Sequence, residues 1–345
     1  MTDHTQPSAG RPAPLIVLDM LLGLWRSRLI YVAAKLEIAD RLKHGPLNSE
    51  MLAEVTGTHA PSLYRVLRAL ANEGLFVEQP DGRFALTPLA ECLRRDVPNS
   101  MHAMALMVYD DWEFRSWENL LYSVTTGEPA LEHLFQMERF DYLEQNPESR
   151  QHFDEAMGMY SSVFYEAITR SYDFSQAQTI ADLGGGDGSL LAAILTQYPQ
   201  ARGILYELPA AMNYARQLLE RHGVIDRTTL IGGSFLEAAP GGADLYIIHR
   251  CLHNWGDASV ARILAHVRQV IPATGRLLTV DMLIPAEREM DFIKLLDVDM
   301  LLTSHGGRER TEEEFRGLLA DAGFTLQRVL PVPATPLNIL ESVPV

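Results

Sequence analysis

The stretch Thr179-Ile180-Ala181-Asp182-Leu183-Gly184-Gly185-Gly186-Asp187-Gly188-Ser189-Leu190 decides the fold. Its first five residues are a short, mostly apolar run of strand type. Four glycines in the next five positions make a loop, and the apolar segment from Ser189 to Gln197 reads as a helix. Outward from this unit the pattern repeats. A second strand, Gly203 to Tyr206, ends at Glu207, and Leu208-Pro209 leads into a helix through His222. Further strands are expected at Thr228 to Ile231, Ala243 to Ile248 and Arg276 to Val280, with helices over about 258–270 and 311–322. Thr325 to Leu330 and Asn338 to Val343 close the chain. Strand and helix in turn predict an α/β fold, a mostly parallel sheet covered on both faces.

In such sheets ligands bind beyond the carboxyl ends of the strands. Glycines after the first strand allow close backbone approach, and Glu207 at the end of the second can accept from both hydroxyls of a ribose. That pairing reads as an adenosine site. A dinucleotide fingerprint would place glycine or alanine where Ser189 stands, and no Walker lysine is present. The spacing is D-x-G-x-G-x-G on Asp182, Gly184, Gly186 and Gly188. It suits an adenosine cofactor with an amino-acid end and no phosphate, S-adenosylmethionine.

The front half is helical. Leu18, Leu21, Leu22, Trp25, Leu29, Val32, Leu36 and Ile38 recur at helical spacing between Leu15 and Leu42. Asn48-Ser49 caps a helix that Gly57 ends, Pro61-Ser62 starts another, and Phe76–Glu78 and Arg83–Leu86 flank a hairpin turn. Helix-turn-helix plus wing is an architecture of DNA readers. Between Leu47 and Arg95, however, five basic residues face six acidic ones, so the unit lacks a positive footprint and reads as structural or dimer-forming. Residues 101–172 hold 13 of the 28 aromatic residues and 6 of the 13 methionines, Trp112 and Met157 among them. Such a lining suits a flat apolar ligand as well as a helix-bundle core.

With 345 residues, 47% hydrophobic and 21% charged, the chain has material for about two domains. The expected division is a flexible tail at 1–13, a helical winged-helix domain with substrate-lining helices at 14–172, and a cofactor-binding domain at 173–345. The net charge of -16 disfavours binding to nucleic acid phosphates. Cys92 and Cys251 make neither a disulfide framework nor a metal-ligand spacing. No run is long and apolar enough for a membrane span, and the polar first residues lack the order of a signal peptide, so a cytoplasmic setting is expected.

Several separated motifs now agree. IADLGGGDGSL (180–190), YELP (206–209), GADLYIIHRCLHNW (242–255), DVDMLLTSHGGRERTEEEF (297–315) and AGF (322–324) together resemble the small-molecule O-methyltransferases of the plant caffeate type, whose bacterial members modify antibiotics and phenazines. The resemblance runs from about residue 15 to the C-terminus. It implies a class I methyltransferase (Rossmann-like) sheet behind a winged-helix dimerisation domain, a homodimer through the N-terminal helices, and S-adenosylmethionine as methyl donor with S-adenosylhomocysteine as product. No metal is implied.

The resemblance also implies roles. His253 falls on the family's catalytic base, with Glu309 and Asp281 orienting its imidazole. A phenol near pKa 10 is a weak nucleophile at neutral pH, and a histidine within hydrogen-bond reach removes its proton as the oxygen attacks the methyl. Gly184, Gly186, Glu207, Ser234, Phe235, His249 and Tyr160 fall at the cofactor, and Met157, Trp112, Asn254 and Met300 at the acceptor. Ser234 replaces the usual aspartate of G-D-F, His249 stands where plant members have lysine, Asn254 replaces the aspartate of H-D-W, and Asp281 is shorter than the usual glutamate. The function expected is O-methylation of a phenolic hydroxyl on a planar aromatic metabolite, phenazine or polyketide-like. The alternatives are N-methylation of a heteroaromatic ring, a pocket repurposed for other chemistry, and a ligand-responsive DNA regulator.

Overall fold

The computed structural model describes residues 11–98, 100–285 and 291–345, without the side chains of 159–163 and 210. Most of the expected N-terminal tail thus lies outside the described residues. Packing divides the chain into two compact units: one runs up to Phe114 and includes Phe140–Tyr160, and the other comprises Arg115–Arg139 and Ser161–Val345.

In the first unit the apolar stretch from Leu15 to Leu42 is not one helix. Ala13–Leu21 and Gly23–Lys35 are separate helices, and Glu37, at φ 53°, turns the chain into a short helix at Ile38–Leu42. The Ala13–Leu21 helix buries none of its residues. Asn48 caps the Ser49–Thr56 helix by accepting the Met51 N–H at 2.9 Å, and Gly57 ends it in the left-handed conformation. The Ala60–Asn72 helix and the antiparallel hairpin β1 (Phe76–Glu78) and β2 (Phe84–Leu86) complete the winged unit. Leu52, Leu67, Leu70, Phe76 and Phe84 form its buried core.

The second unit is built on a seven-stranded sheet of β3 (Thr179–Leu183), β4 (Arg202–Glu207), β5 (Thr228–Gly232), β6 (Leu245–His249), β7 (Arg276–Met282), β8 (Phe324–Pro331) and β9 (Leu337–Pro344), in the order β5-β4-β3-β6-β7-β9-β8. The first five strands are parallel, and β9 returns antiparallel to β7 and to β8. The order reverses between β4 and β6 around β3, so the carboxyl end of β3 is the switch point where such sheets bind ligands. β7 extends two residues beyond its predicted end because Asp281 and Met282 still pair with β9. Asp281 is therefore a strand residue, fixed by the sheet.

Candidate active site

The glycine loop is shaped by close packing. Gly184, at φ 68°, leaves no room for a Cβ, which would lie 2.7 Å from Phe235 and 2.9 Å from the Cys251 sulfur. Gly186 also has positive φ but faces open space. Glu207, at the end of β4, accepts the Gly186 N–H at 3.0 Å and the Leu208 N–H at 2.6 Å. It is thereby held against the loop with lone pairs to spare. Ser234 accepts the Leu236 N–H at 3.3 Å through its hydroxyl, and its carbonyl accepts from the Tyr206 hydroxyl. Phe235 packs edge-on to Trp255.

Asp182 adds a residue whose role in the loop motif gave no hint of its chemistry. It is buried, and among the described residues neither carboxyl oxygen has a hydrogen-bond partner. Burial, with repulsion from Glu207 and Asp187, raises its pKa to about 7. Two acids beside an open glycine loop fit a ligand with cationic groups, and Glu207 fits its ribose. The residues present therefore fit S-adenosylmethionine, whose sulfonium and ammonium both carry positive charge.

β6 ends at His249, and the chain then turns through Arg250, at φ 51°, into the short Leu252–Asn254 turn that carries His253. The 306–311 segment cradles this turn. The Arg308 N–H donates to the His253 carbonyl at 2.8 Å, and the guanidinium of Arg310, fully buried, donates to the Leu252 carbonyl at 3.1 Å, the Trp255 carbonyl at 2.7 Å and Asp257. A Cβ at Gly307 would lie 3.0 Å from the His253 carbonyl, so the paired glycines allow the two segments to touch.

His253 is buried, with Nδ1 3.5 Å from Oδ1 of Asp281. Burial and the Arg250 charge, opposed by Asp281, lower its pKa to about 4. Asp281 is the converse: burial would raise its carboxyl, but Arg250 and His253 outweigh burial and hold it ionised. Glu309 does not reach the imidazole within ion-pair distance. Its carboxylate is held by Arg250 at 3.2 Å, and its N–H donates to Asp297 at 2.9 Å. Arg308 and Arg310, the neighbours in sequence, pair instead with Glu314 and Asp257. Burial and the nearby Asp281 push the Glu309 carboxyl upward against the pull of Arg250. Nitrogen and oxygen atoms of His253, Asp281 and Glu309 come within 4.8 Å of one another, a grouping that could hold a cation; the guanidinium of Arg250 bridges its two carboxylates.

The second unit thus brings together Gly184, Gly186, Glu207, Ser234, Phe235, His249, His253, Asn254, Asp281, Met300 and Glu309 around the sheet's carboxyl edge and its flanking segments. His249 is neutral: burial and Arg250 lower its pKa to about 3, and its Nε2 has no partner among the described residues. Asn254 accepts from Arg139 and donates to the Cys251 carbonyl at 3.3 Å, which turns its amide into the protein. Met300 is buried on the Ile293–Thr303 helix, next to Asp299, which accepts from the Trp117 indole at 3.0 Å. Trp112 and Met157 belong to the first unit, where Trp112 is fully buried edge-on to Phe153. Tyr160 lies on the Pro147–Ser171 helix, its side chain outside those described. Sequence reasoning gave Arg250 no role and named Asp182 only as the first position of the loop motif. The adjacency of Arg250 to the strand end was the signal available for it.

A doubly wound sheet with a glycine loop, an acid at the end of the second strand and a histidine beyond the fourth defines a class I methyltransferase. The particular family follows from comparison with known proteins: the O-methyltransferase domain model matches residues 117–325 and the O-methyltransferase dimerisation domain model matches 18–96, and the chain belongs to that family. It is 41% identical to the phenazine O-methyltransferase PhzM of Lysobacter antibioticus over 345 residues, all of both chains. The crystal structure of LaPhzM superimposes with a TM-score of 0.90 at 42% identity, covering 97% of this chain and all of the other. NcsB1, an O-methyltransferase from neocarzinostatin biosynthesis solved with S-adenosylmethionine and 2-hydroxy-5-methyl naphthoic acid, gives a TM-score of 0.80 at 28% identity, with 92% and 96% covered. Other relatives are N-methyltransferases. The chain is an S-adenosylmethionine-dependent O-methyltransferase of the phenazine and antibiotic type.

Proposed function

We propose that this enzyme methylates a phenolic hydroxyl of a planar aromatic metabolite, phenazine or polyketide-like, with His253 as general base and without a metal. The observation that carries the reading is the buried pair of His253 and Asp281 beyond the sheet's carboxyl edge. S-adenosylmethionine, when bound, supplies an electrophilic methyl group. Gly184 and Gly186 let it approach the loop, Glu207 takes its ribose hydroxyls, and Ser234, Phe235 and His249 complete its surroundings, with Tyr160 assigned there by the resemblance alone. His253 is neutral at pH 7, so Nε2 can accept the phenolic proton as the acceptor oxygen attacks. Asp281 then stabilises the imidazolium through Nδ1. Of the residues that the resemblance assigns to the acceptor (Met157, Trp112, Asn254 and Met300), Met300 is buried on the Ile293–Thr303 helix and Asn254 is held by Arg139. Positive charge at the two carboxylates comes from Arg250, which supports metal-free chemistry.

Replacing His253 with alanine is expected to lower kcat by about 10²- to 10⁴-fold while S-adenosylhomocysteine affinity, measured by calorimetry, stays within about twofold. A nitrogen acceptor is the second reading, favoured by the N-methyltransferase relatives. A ring nitrogen with a lone pair needs no base, so unchanged turnover in the alanine variant would select it. The matching dimerisation domain and the apolar face of the first two helices support a homodimer.

A further inference from the structure

The two carboxylates expected to orient the base do not share that task. Arg250 stands between them. Its Nη1 donates to Asp281 Oδ1 at 2.5 Å and to both oxygens of Glu309 at 3.2 and 3.3 Å, and its Nη2 donates to Glu309 Oε1 at 3.2 Å. Asp281 Oδ1 also accepts the Met282 N–H at 3.0 Å, so this oxygen is fixed from the strand and from the guanidinium at once. Nδ1 of His253 lies 3.5 Å from Asp281 Oδ1, and among the described residues neither this nitrogen nor Asp281 Oδ2 has a hydrogen-bond partner, so the imidazole has no nearer charged partner than this carboxylate. A planar fork of donors can hold two carboxylates in one geometry, which an ammonium cannot. Arg250 is itself held in the left-handed conformation at the turn between β6 and His253, a placement a non-glycine residue rarely adopts.

We propose that Arg250 is a positioning residue of the methyl-transfer site: its guanidinium fixes Asp281 as the partner of His253, and Glu309 acts on the base only through Arg250. This deepens the reading of His253 as base and rests on it. The charged and titratable groups that bear on His253 come from four elements: Arg250 and His249 at the end of β6, Asp281 on β7, Glu309 in the cradle segment, which faces Asp297 of the Ile293–Thr303 helix, and Arg139 beside Asn254. Arg250 and Arg139 oppose protonation of the imidazole, and Asp281 favours it. Without the guanidinium, two buried carboxylates face the imidazole unshielded.

The test is a double-mutant cycle between Arg250→Met and Glu309→Gln in the full chain. Its first readout is the NMR pH titration of the His253 imidazole, assigned against His253→Gln, which needs no acceptor and stands whether or not His253 is the base. Arg250→Met is expected to move that titration up by more than one pH unit. The second readout is kcat with saturating S-adenosylmethionine and acceptor. Glu309→Gln is expected to lower kcat at least fivefold with Arg250 present and less than twofold in the Arg250→Met background. An unmoved imidazole titration, or losses in kcat that multiply, would overturn the proposal. If Arg250→Met does not fold, Arg250→Lys decides: loss of the fork should lower kcat about tenfold with S-adenosylhomocysteine affinity retained, and wild-type turnover would sink the idea. Loss of the His253→Ala effect on turnover would instead count against the base assignment, with the imidazole titration still testing Arg250.

Discussion

Individual residues at this site are set by conflicts between burial and charge. Gly184 shows the steric side. Its positive φ and the contacts a Cβ would make with Phe235 and Cys251 mean that Gly184→Ala should destabilise the protein by about 1 kcal/mol or more and weaken S-adenosylhomocysteine binding, measurable by urea titration and calorimetry. His253 and Glu309 show what sequence could and could not supply. The loop glycines and Glu207 stood out by residue type and spacing after their strands, whereas His253 was singled out only through the resemblance of the motifs around it. The partner of Glu309 was not legible, since Arg308 and Arg310 flank it in sequence and the true partner lies 59 residues away. Only the return of the chain across β7 brings them together.

At the scale of elements, the cradle segment and the helix after it behave as one fixture. Thr311 and Glu314 form a reciprocal capping box at the start of the Glu312–Asp321 helix. Thr311→Ala should cost about 1 kcal/mol in chemical denaturation. Arg310→Met removes a buried donor to two carbonyls of the His253 turn and should cost on the order of 3 kcal/mol by the same measurement, with a fall in kcat on the proposed reading of His253 as base. The strands themselves were readable from short apolar runs, and most observed bounds fall within two residues of those expected. The N-terminal helices were not read as separate, because apolar spacing continues smoothly across Leu22 and Glu37 while the backbone breaks there.

Across the whole molecule, pH and self-association follow from the same features. His253, at about 4, and His249, at about 3, bind protons less readily folded than unfolded, where histidine titrates near 6.5. Their stability contribution is present above about pH 6.5 and is lost as pH falls through 6.5 towards 4. Asp182, raised to about 7, has the opposite sign: its contribution is present below about pH 4 and is lost as pH rises through 7. Glu309, likewise raised to about 7, has the same sign as Asp182, so the two carboxyls offset the two imidazoles between about pH 5 and 6, and thermal unfolding is expected to show a nearly flat Tm from these four groups across that range. The exposed Leu18, Met20, Leu21, Leu24 and Trp25 lie on helices of the first unit, four of them at least 49% exposed and Trp25 67%. If a second copy covers them, Leu21→Asp with Trp25→Asp should shift sedimentation at micromolar concentration from dimer to monomer.

The buried Arg310 has a consequence for how the protein is made. It ties the 306–311 segment to carbonyls on either side of His253, more than fifty residues earlier in the chain. The strand on which Asp281 lies is likewise paired on one side by β9, in the last nine residues. While the chain is leaving the ribosome, the turn around His253 therefore waits for the 306–311 segment and for β9 before it is tied in place. The final setting of the histidine is thereby deferred to the finished polypeptide.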